Sequence, residues 1–234
     1  MNESYGKQDD KKKIMKDLIR KLHEGTNPED AKREFRQALT DVTPVGIAQV
    51  EEELVNEGMP VEEVHRLCDV HLAVFRESLE KEMPPVPPGH PIYILMEEHK
   101  ILLGLLEKLS DIARKIEETV DLPIDKNMEE IKLIADLFRN SESHYLREEN
   151  VLFPYLEKHG ITQPPAIMWT EHNKIRETEK DFYGLIDNCQ RIMSQDLARR
   201  LREISASMSD ILSSHFYKEN HILFPTSLKV LEEL

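Results

Sequence analysis

Six residues have the types and spacing to hold cations together: His99, His144, Glu148, His172, His215 and Glu219. His144 and Glu148 are four apart, as are His215 and Glu219, so on a helix each pair points the same way. Neutral imidazole with carboxylate, and no thiolate, suits iron, manganese or zinc. A carboxylate buried without a partner costs several kcal/mol or takes up a proton. Sharing cations removes that cost for both glutamates. A single His on an apolar face is usually a satisfied core residue, and a single His-x-x-x-Glu pair usually lies on a surface. Four helical segments that each place a His inside an apolar stripe, two with the same glutamate four residues on, weigh against that plainer account.

The elements that must position these residues follow from periodicity. Four long helical patterns are expected at roughly 91–118, 127–158, 165–191 and 195–232. Short breaks separate them at Asp121-Leu122-Pro123, at His159-Gly160 with Pro164-Pro165, and near Ser194. Helices with such short connections predict an up-down-up-down bundle. The first inward stripe reads Ile92, Leu95, His99, Leu102, Leu106, Leu109, Ala113, Ile116, and the second Ile134, Leu137, Ser141, His144, Glu148, Val151, Tyr155. The third is Met168, His172, Ile175, Glu179, Phe182, Ile186, Cys189, and the fourth Leu201, Ile204, Met208, Ile211, His215, Glu219, Ile222. Imidazole and carboxylate therefore fall where core is expected, a recurrent setting for a di-iron centre.

The chain also repeats itself. Residues 143–154, from Ser143-His144 to Leu152-Phe153-Pro154, parallel residues 214–225, from Ser214-His215 to Leu223-Phe224-Pro225. Glu98-His99 likewise parallels Glu171-His172. Two helix pairs of common design, each with a lone His and a His-x-x-x-Glu, predict a pseudo-two-fold site for two metals.

Composition bounds the rest. Leu-, Glu-, Lys- and Arg-rich stretches with only 8 Gly predict an all-α protein. A net charge of -14 argues against nucleic acid as a partner. No apolar run is long enough to span a membrane, and the polar start of the chain lacks a secretory signal. Two distant cysteines, Cys68 and Cys189, rule out a disulfide framework or a Cys-rich zinc site. A cytoplasmic setting is expected. The Pro-rich run Met83-Pro84-Pro85-Val86-Pro87-Pro88-Gly89-His90-Pro91 reads as a stiff linker. It divides a small N-terminal helical domain, 1–82, from the bundle, 92–234. Within the former, Asn27-Pro28 and Thr43-Pro44 look like helix starts, Gly58-Met59-Pro60 separates two helices, and the last helix is expected at about 61–81.

These motifs resemble the hemerythrin-like, or HHE cation-binding, family. That family has a lone His in its first and third helices and His-x-x-x-Glu followed by Leu-Phe-Pro in the second and fourth. The resemblance spans about 90–230. It is nearest to the type with four His and two Glu ligands, as in bacterial iron–sulfur cluster repair proteins. It implies that His99, His144, His172 and His215 each bind iron, that Glu148 and Glu219 bridge two Fe ions, and that an oxo or hydroxo group joins them. Oxygen-carrying members have His and Asp where this chain has Arg176 and Asn220, so reversible oxygen carriage is not expected. The N-terminal part, at Glu57-Gly58-Met59-Pro60 and Leu67-Cys68-Asp69-Val70-His71-Leu72, resembles domain of unknown function 438, which often precedes such bundles. Relatives often continue into a sensory PAS domain, and none is expected here.

Other residues keep two readings. Cys68 and His71 could form a second metal, haem or redox site, or be a packed thiol beside a surface His. Glu179 could orient a ligand or sit in solvent, and Arg176 could pair with Glu179 or with a metal-bound carboxylate. Tyr145 and Trp169 are expected to pack, and His90 is a reserve ligand. Three functions remain open. The first is a di-iron protein that binds or senses oxygen or nitric oxide, linked to iron handling or cluster repair, with the N-terminal domain meeting a protein partner. The second is a di-iron reductase of nitric oxide or peroxide. The third is a metal-free or zinc-bound interaction module.

Overall fold

The computed structural model describes residues 2–27, 29–31, 33–34, 44–60, 63–64, 85–118, 124–189 and 194–232. Every element among them is helical, with no strand. The helices are α1 (Asn2–His23), α2 (Pro44–Asn56), α3 (Pro91–Glu118), α4 (Ile124–Asn140), α5 (Glu142–Arg147), α6 (Phe153–Lys158), α7 (Gln163–Asp187), α8 (Ser194–Lys218) and α9 (Phe224–Glu232). Two π-helical turns, π1 (Glu148–Leu152) and π2 (Glu219–Leu223), join α5 to α6 and α8 to α9. Cys68, His71, His65, Asp121-Leu122-Pro123 and nearly all of the helix expected at 61–81 lie outside the described residues.

The chain forms two compact units. One holds residues 86–152 and 168–216. Here α3, α4–α5, α7 and α8 make an up-down-up-down bundle. Its core combines Leu102, Leu109 and Ile116 of α3 with Ile131, Ile134 and Phe138 of α4, Ile175 and Phe182 of α7, and Leu201, Met208 and Phe216 of α8. The stripe expected on α3 is buried at all eight positions. So is that on α7 up to Ile186, with Cys189 half-buried, and on α8 only Ile204 and Ile211 are half-exposed.

The second stripe needs correction. Leu137 is 40% exposed and Val151 68% exposed, while Ser141 and Tyr155 are half-buried. Phe138, Phe153 and Leu156 take the inward places. The α4 seam runs through Ile131, Ala135 and Phe138, and the helix breaks at Ser141, whose hydroxyl donates to the Phe138 carbonyl at 2.7 Å. Beyond Glu148 the π1 turn, with i→i+5 bonding, moves the inward position from Val151 to Phe153.

Both π turns start at the glutamate of His-x-x-x-Glu and end just before Phe-Pro. The Pro supplies a reason. Inside an α-helix it removes an amide donor and its ring meets the carbonyl four residues back. For Pro154 and Pro225 those carbonyls belong to Asn150 and His221, inside the widened turns. A π turn also advances less than the ~100° per residue of an α-helix. Consecutive side chains can then share the inward side, and Glu148 and Glu149 are both buried.

The other unit collects residues 1–85, 153–167 and 217–234. Met15, Leu18, Ile19 and Leu22 of α1 and Ile47, Val50 and Leu54 of α2 are buried, and the two helices pack together. Lys12 and Lys16 of α1 pair with Glu53 of α2 and with Glu57 in the turn just beyond it. α2 also packs on π2 and α9. Its Glu52 accepts from the Thr162 hydroxyl at 2.7 Å and the Gln163 amide at 3.3 Å, placing a carboxylate at the N-terminus of α7. At the end of α6, Gly160 takes φ +80 and closes the helix with bonds from its own amide to Glu157 and from Ile161 to Leu156.

Candidate metal centre

The six residues singled out by spacing are all at most 2% exposed. Glu148, His172, His215 and Glu219 each offer a donor atom within 4.8 Å of the others, and so do His99, His144 and Glu219. His99 Nε2 lies 3.3 Å from His144 Nε2. Glu148 Oε2 is 3.8 Å from His144 Nε2 and 3.3 Å from His172 Nε2, so this carboxylate stands between the two groups. Glu219 belongs to both. Phe216 stacks on His99 with ring centroids 4.0 Å apart.

Each of three imidazoles meets a carboxylate at Nδ1: His144 donates to Glu98 at 2.8 Å, His172 to Glu149 at 2.8 Å and His215 to Glu171 at 2.9 Å. A carboxylate at Nδ1 holds the ring proton there and makes Nε2 the basic nitrogen. Metal-binding imidazoles use this same carboxylate–histidine arrangement. Glu98 and Glu171 each precede a His of one helix and serve a His of the next. Their role was missed in the sequence, although the repeated Glu-His pair carries the signal. Glu149 was also missed. As the second acid of a doublet it would leave the inward face of a regular helix.

Two of these carboxylates are held ionised. Burial alone would raise Glu98, but the His144 N–H and the Arg147 guanidinium outweigh it and hold the group below the usual carboxylate range. Burial likewise opposes ionisation of Glu149, and Arg176 with His172 reverses the balance. Arg176 binds Glu149 at 2.8 Å and Glu142 at 2.9 Å, and lies over the Tyr145 ring. Its sequence-based partners were Glu179 or a metal-bound carboxylate, and it takes neither. Glu179 is 4% exposed and accepts long bonds from Tyr145 at 3.4 Å and Tyr183 at 3.5 Å. Burial first, then the charge of Glu142, push its carboxyl up to about 7. Tyr145 is fully buried, its ring 4.8 Å from that of His172. Trp169 is 40% exposed. His90 is occupied otherwise: its Nδ1 accepts the Ile92 amide at 3.1 Å at the start of α3.

The donor set fits metal ions. Imidazole and carboxylate, without sulfur, at fully buried positions and backed by hydrogen-bonded carboxylates, match hard-to-borderline divalent or trivalent cations. No helix among the described residues is long and apolar enough to cross a membrane.

Comparison with known proteins points the same way. Residues 15–81 match a family of unknown function, DUF438. An iron–sulfur cluster repair protein of Neisseria gonorrhoeae, DnrN, is 27% identical over 143 residues, covering 56% of this chain and 85% of the relative. Residues 90–227, more than half of the chain, match the family model of the hemerythrin HHE cation binding domain, and with the buried His and Glu groups in that same stretch the chain belongs to the hemerythrin HHE family.

Proposed function

We propose that this chain holds two iron ions between His99, His144, Glu148, His172, His215 and Glu219, and that it binds oxygen or nitric oxide there as part of iron handling or iron–sulfur cluster repair. The observation that carries the reading is the placing of Glu148 between His144 and His172, with Glu219 common to both donor groups. Carboxylates so placed suit bridging between two cations. Two imidazoles per metal leave positions open, and a bound iron would supply a site where a diatomic ligand attaches. The relative in Neisseria gonorrhoeae, named as a cluster repair protein, supports the link to iron handling.

A second reading, reduction of nitric oxide or peroxide at the same centre, draws support from Glu179. It is a buried carboxyl with a pKa near 7, joined through Tyr145 to the His172 side. Such a group can supply protons at neutral pH. Turnover of either substrate by iron-loaded protein separates reduction from binding alone.

Metal analysis of protein purified without added metal tests the main reading. Two irons per chain are expected, with a visible spectrum that changes when the reduced protein meets oxygen or nitric oxide. Absence of iron, or about one zinc per chain, would sink it in favour of an interaction module.

A further inference from the structure

One buried titratable group lies outside the donor set. Glu179 is 4% exposed and sits on the inward side of α7, two turns beyond His172. Seven residues at 1.5 Å each place it about 10 Å along the helix from that imidazole. Its two oxygens are taken by different phenols: Oε1 accepts from Tyr145 at 3.4 Å and Oε2 from Tyr183 at 3.5 Å. Tyr145 is fully buried with its ring against that of His172. Tyr183 is half-buried, its ring 4.5 Å beneath the guanidinium of the exposed Arg139 on α4. The carboxyl therefore stands between the centre and the edge of the bundle. Burial is the largest influence on it and pushes it up to about 7, aided by the charge of Glu142 on α5. The two phenols and Arg176 of its own helix favour ionisation without outweighing burial. From α3 and α8 this core receives apolar side chains, among them Leu106, Leu109, Met208 and Leu212.

We infer that Glu179 is the proton counterweight of the metal centre: it holds a proton while the centre is empty and releases it when cations enter. This rests on the metal-centre reading above. Cations add positive charge to a core closed to water. One net positive charge about 10 Å away, in an interior of effective dielectric constant about 20, favours the carboxylate by about one pH unit. Glu179 then ionises around pH 6 in the filled chain and around 7 in the empty one. Below about pH 5 it is protonated in both states, and above about pH 8 it is ionised in both. Only between these limits does filling expel its proton. There the group makes cation uptake depend on pH beyond what the imidazoles impose. It acts through charge, without touching a cation.

The test adds Zn(II), a diamagnetic probe, to the metal-depleted full chain. Carbon-13 NMR of the glutamate side-chain carboxyls reads the ionisation, and E179Q assigns the resonance by removing it. Should E179Q fold poorly, E179D assigns it by moving it into the aspartate range. The native midpoint should fall from about 7 to about 6 on filling. Calorimetric zinc titration in buffers of different ionisation enthalpy counts the protons released. Near pH 6.5 the native chain should release about half a proton more than E179Q, and near pH 8 the two should release equal numbers. Protons lost by the imidazoles cancel in that difference. A midpoint that stays in place on filling, or equal release near pH 6.5, would overturn the inference while leaving the centre intact. No zinc uptake at all would overturn the centre itself, and the inference with it.

Discussion

At the residue scale, the glutamates divide by what they face. Glu148 faces two imidazoles of different donor groups, and its removal should take a bridge from both. Glu148→Ala is therefore expected to lose one or both irons, and a variant that keeps two irons per chain by metal analysis would refute the bridging role. Glu179 instead faces two tyrosines. Its folded pKa of about 7 lies above the ordinary 4.5. Below pH 4.5 both folded and unfolded chains hold the proton. Between 4.5 and 7 only the folded chain keeps it, so the native protein loses stability as pH rises through that window, and the loss is complete above 7. Glu179→Gln lacks the ionisation, so its stability relative to the native chain should rise by about 3 kcal/mol across the window. Urea denaturation of metal-free protein at several pH values measures it. The six candidate ligands were legible because charge on an apolar stripe is conspicuous. Glu98, Glu149 and Glu171 were not, because an acid beside a His looks like ordinary helix surface until a neighbouring helix is placed against it.

At the scale of the elements, three of the four stripes could be read directly, since α3, α7 and α8 keep the α-helical period through the bundle. The second could not. A single-residue break at Ser141 and the π1 turn shift the phase twice, and no local propensity announces a π turn apart from the Pro that follows it. Leu137 and Val151 were misplaced for that reason, and Phe138 and Phe153 were overlooked. Phe138 is fully buried and meets Phe182 edge to face at 6.4 Å. Phe138→Ala should cost about 3–5 kcal/mol, read as a lower denaturation midpoint, whereas Leu137→Ala should change it by less than about 0.5 kcal/mol.

At the scale of the whole molecule, the all-α class and the bundle were legible from composition and period. The N-terminal helices were less so, because their partners are distant in sequence. Metal should matter to global stability, because cations that bind only the folded chain shift unfolding by mass action. Iron at a hundredfold excess over its dissociation constant adds about 2.7 kcal/mol. For a chain of this size that corresponds to a rise in Tm of about 5–10 °C. Calorimetry before and after chelation checks it, and an unchanged Tm would count against an intact centre.

The packing of α2 on π2 and α9 has a practical corollary. Ile47, Val50 and Leu54 on one side, and Leu223 and Phe224 on the other, are shielded from water in the intact chain. A shortened protein beginning at residue 90 would keep every candidate ligand, yet lay bare oily surface around the turn that carries Glu219. Such a fragment should precipitate or self-associate at concentrations where the full chain stays dispersed, as light scattering would show.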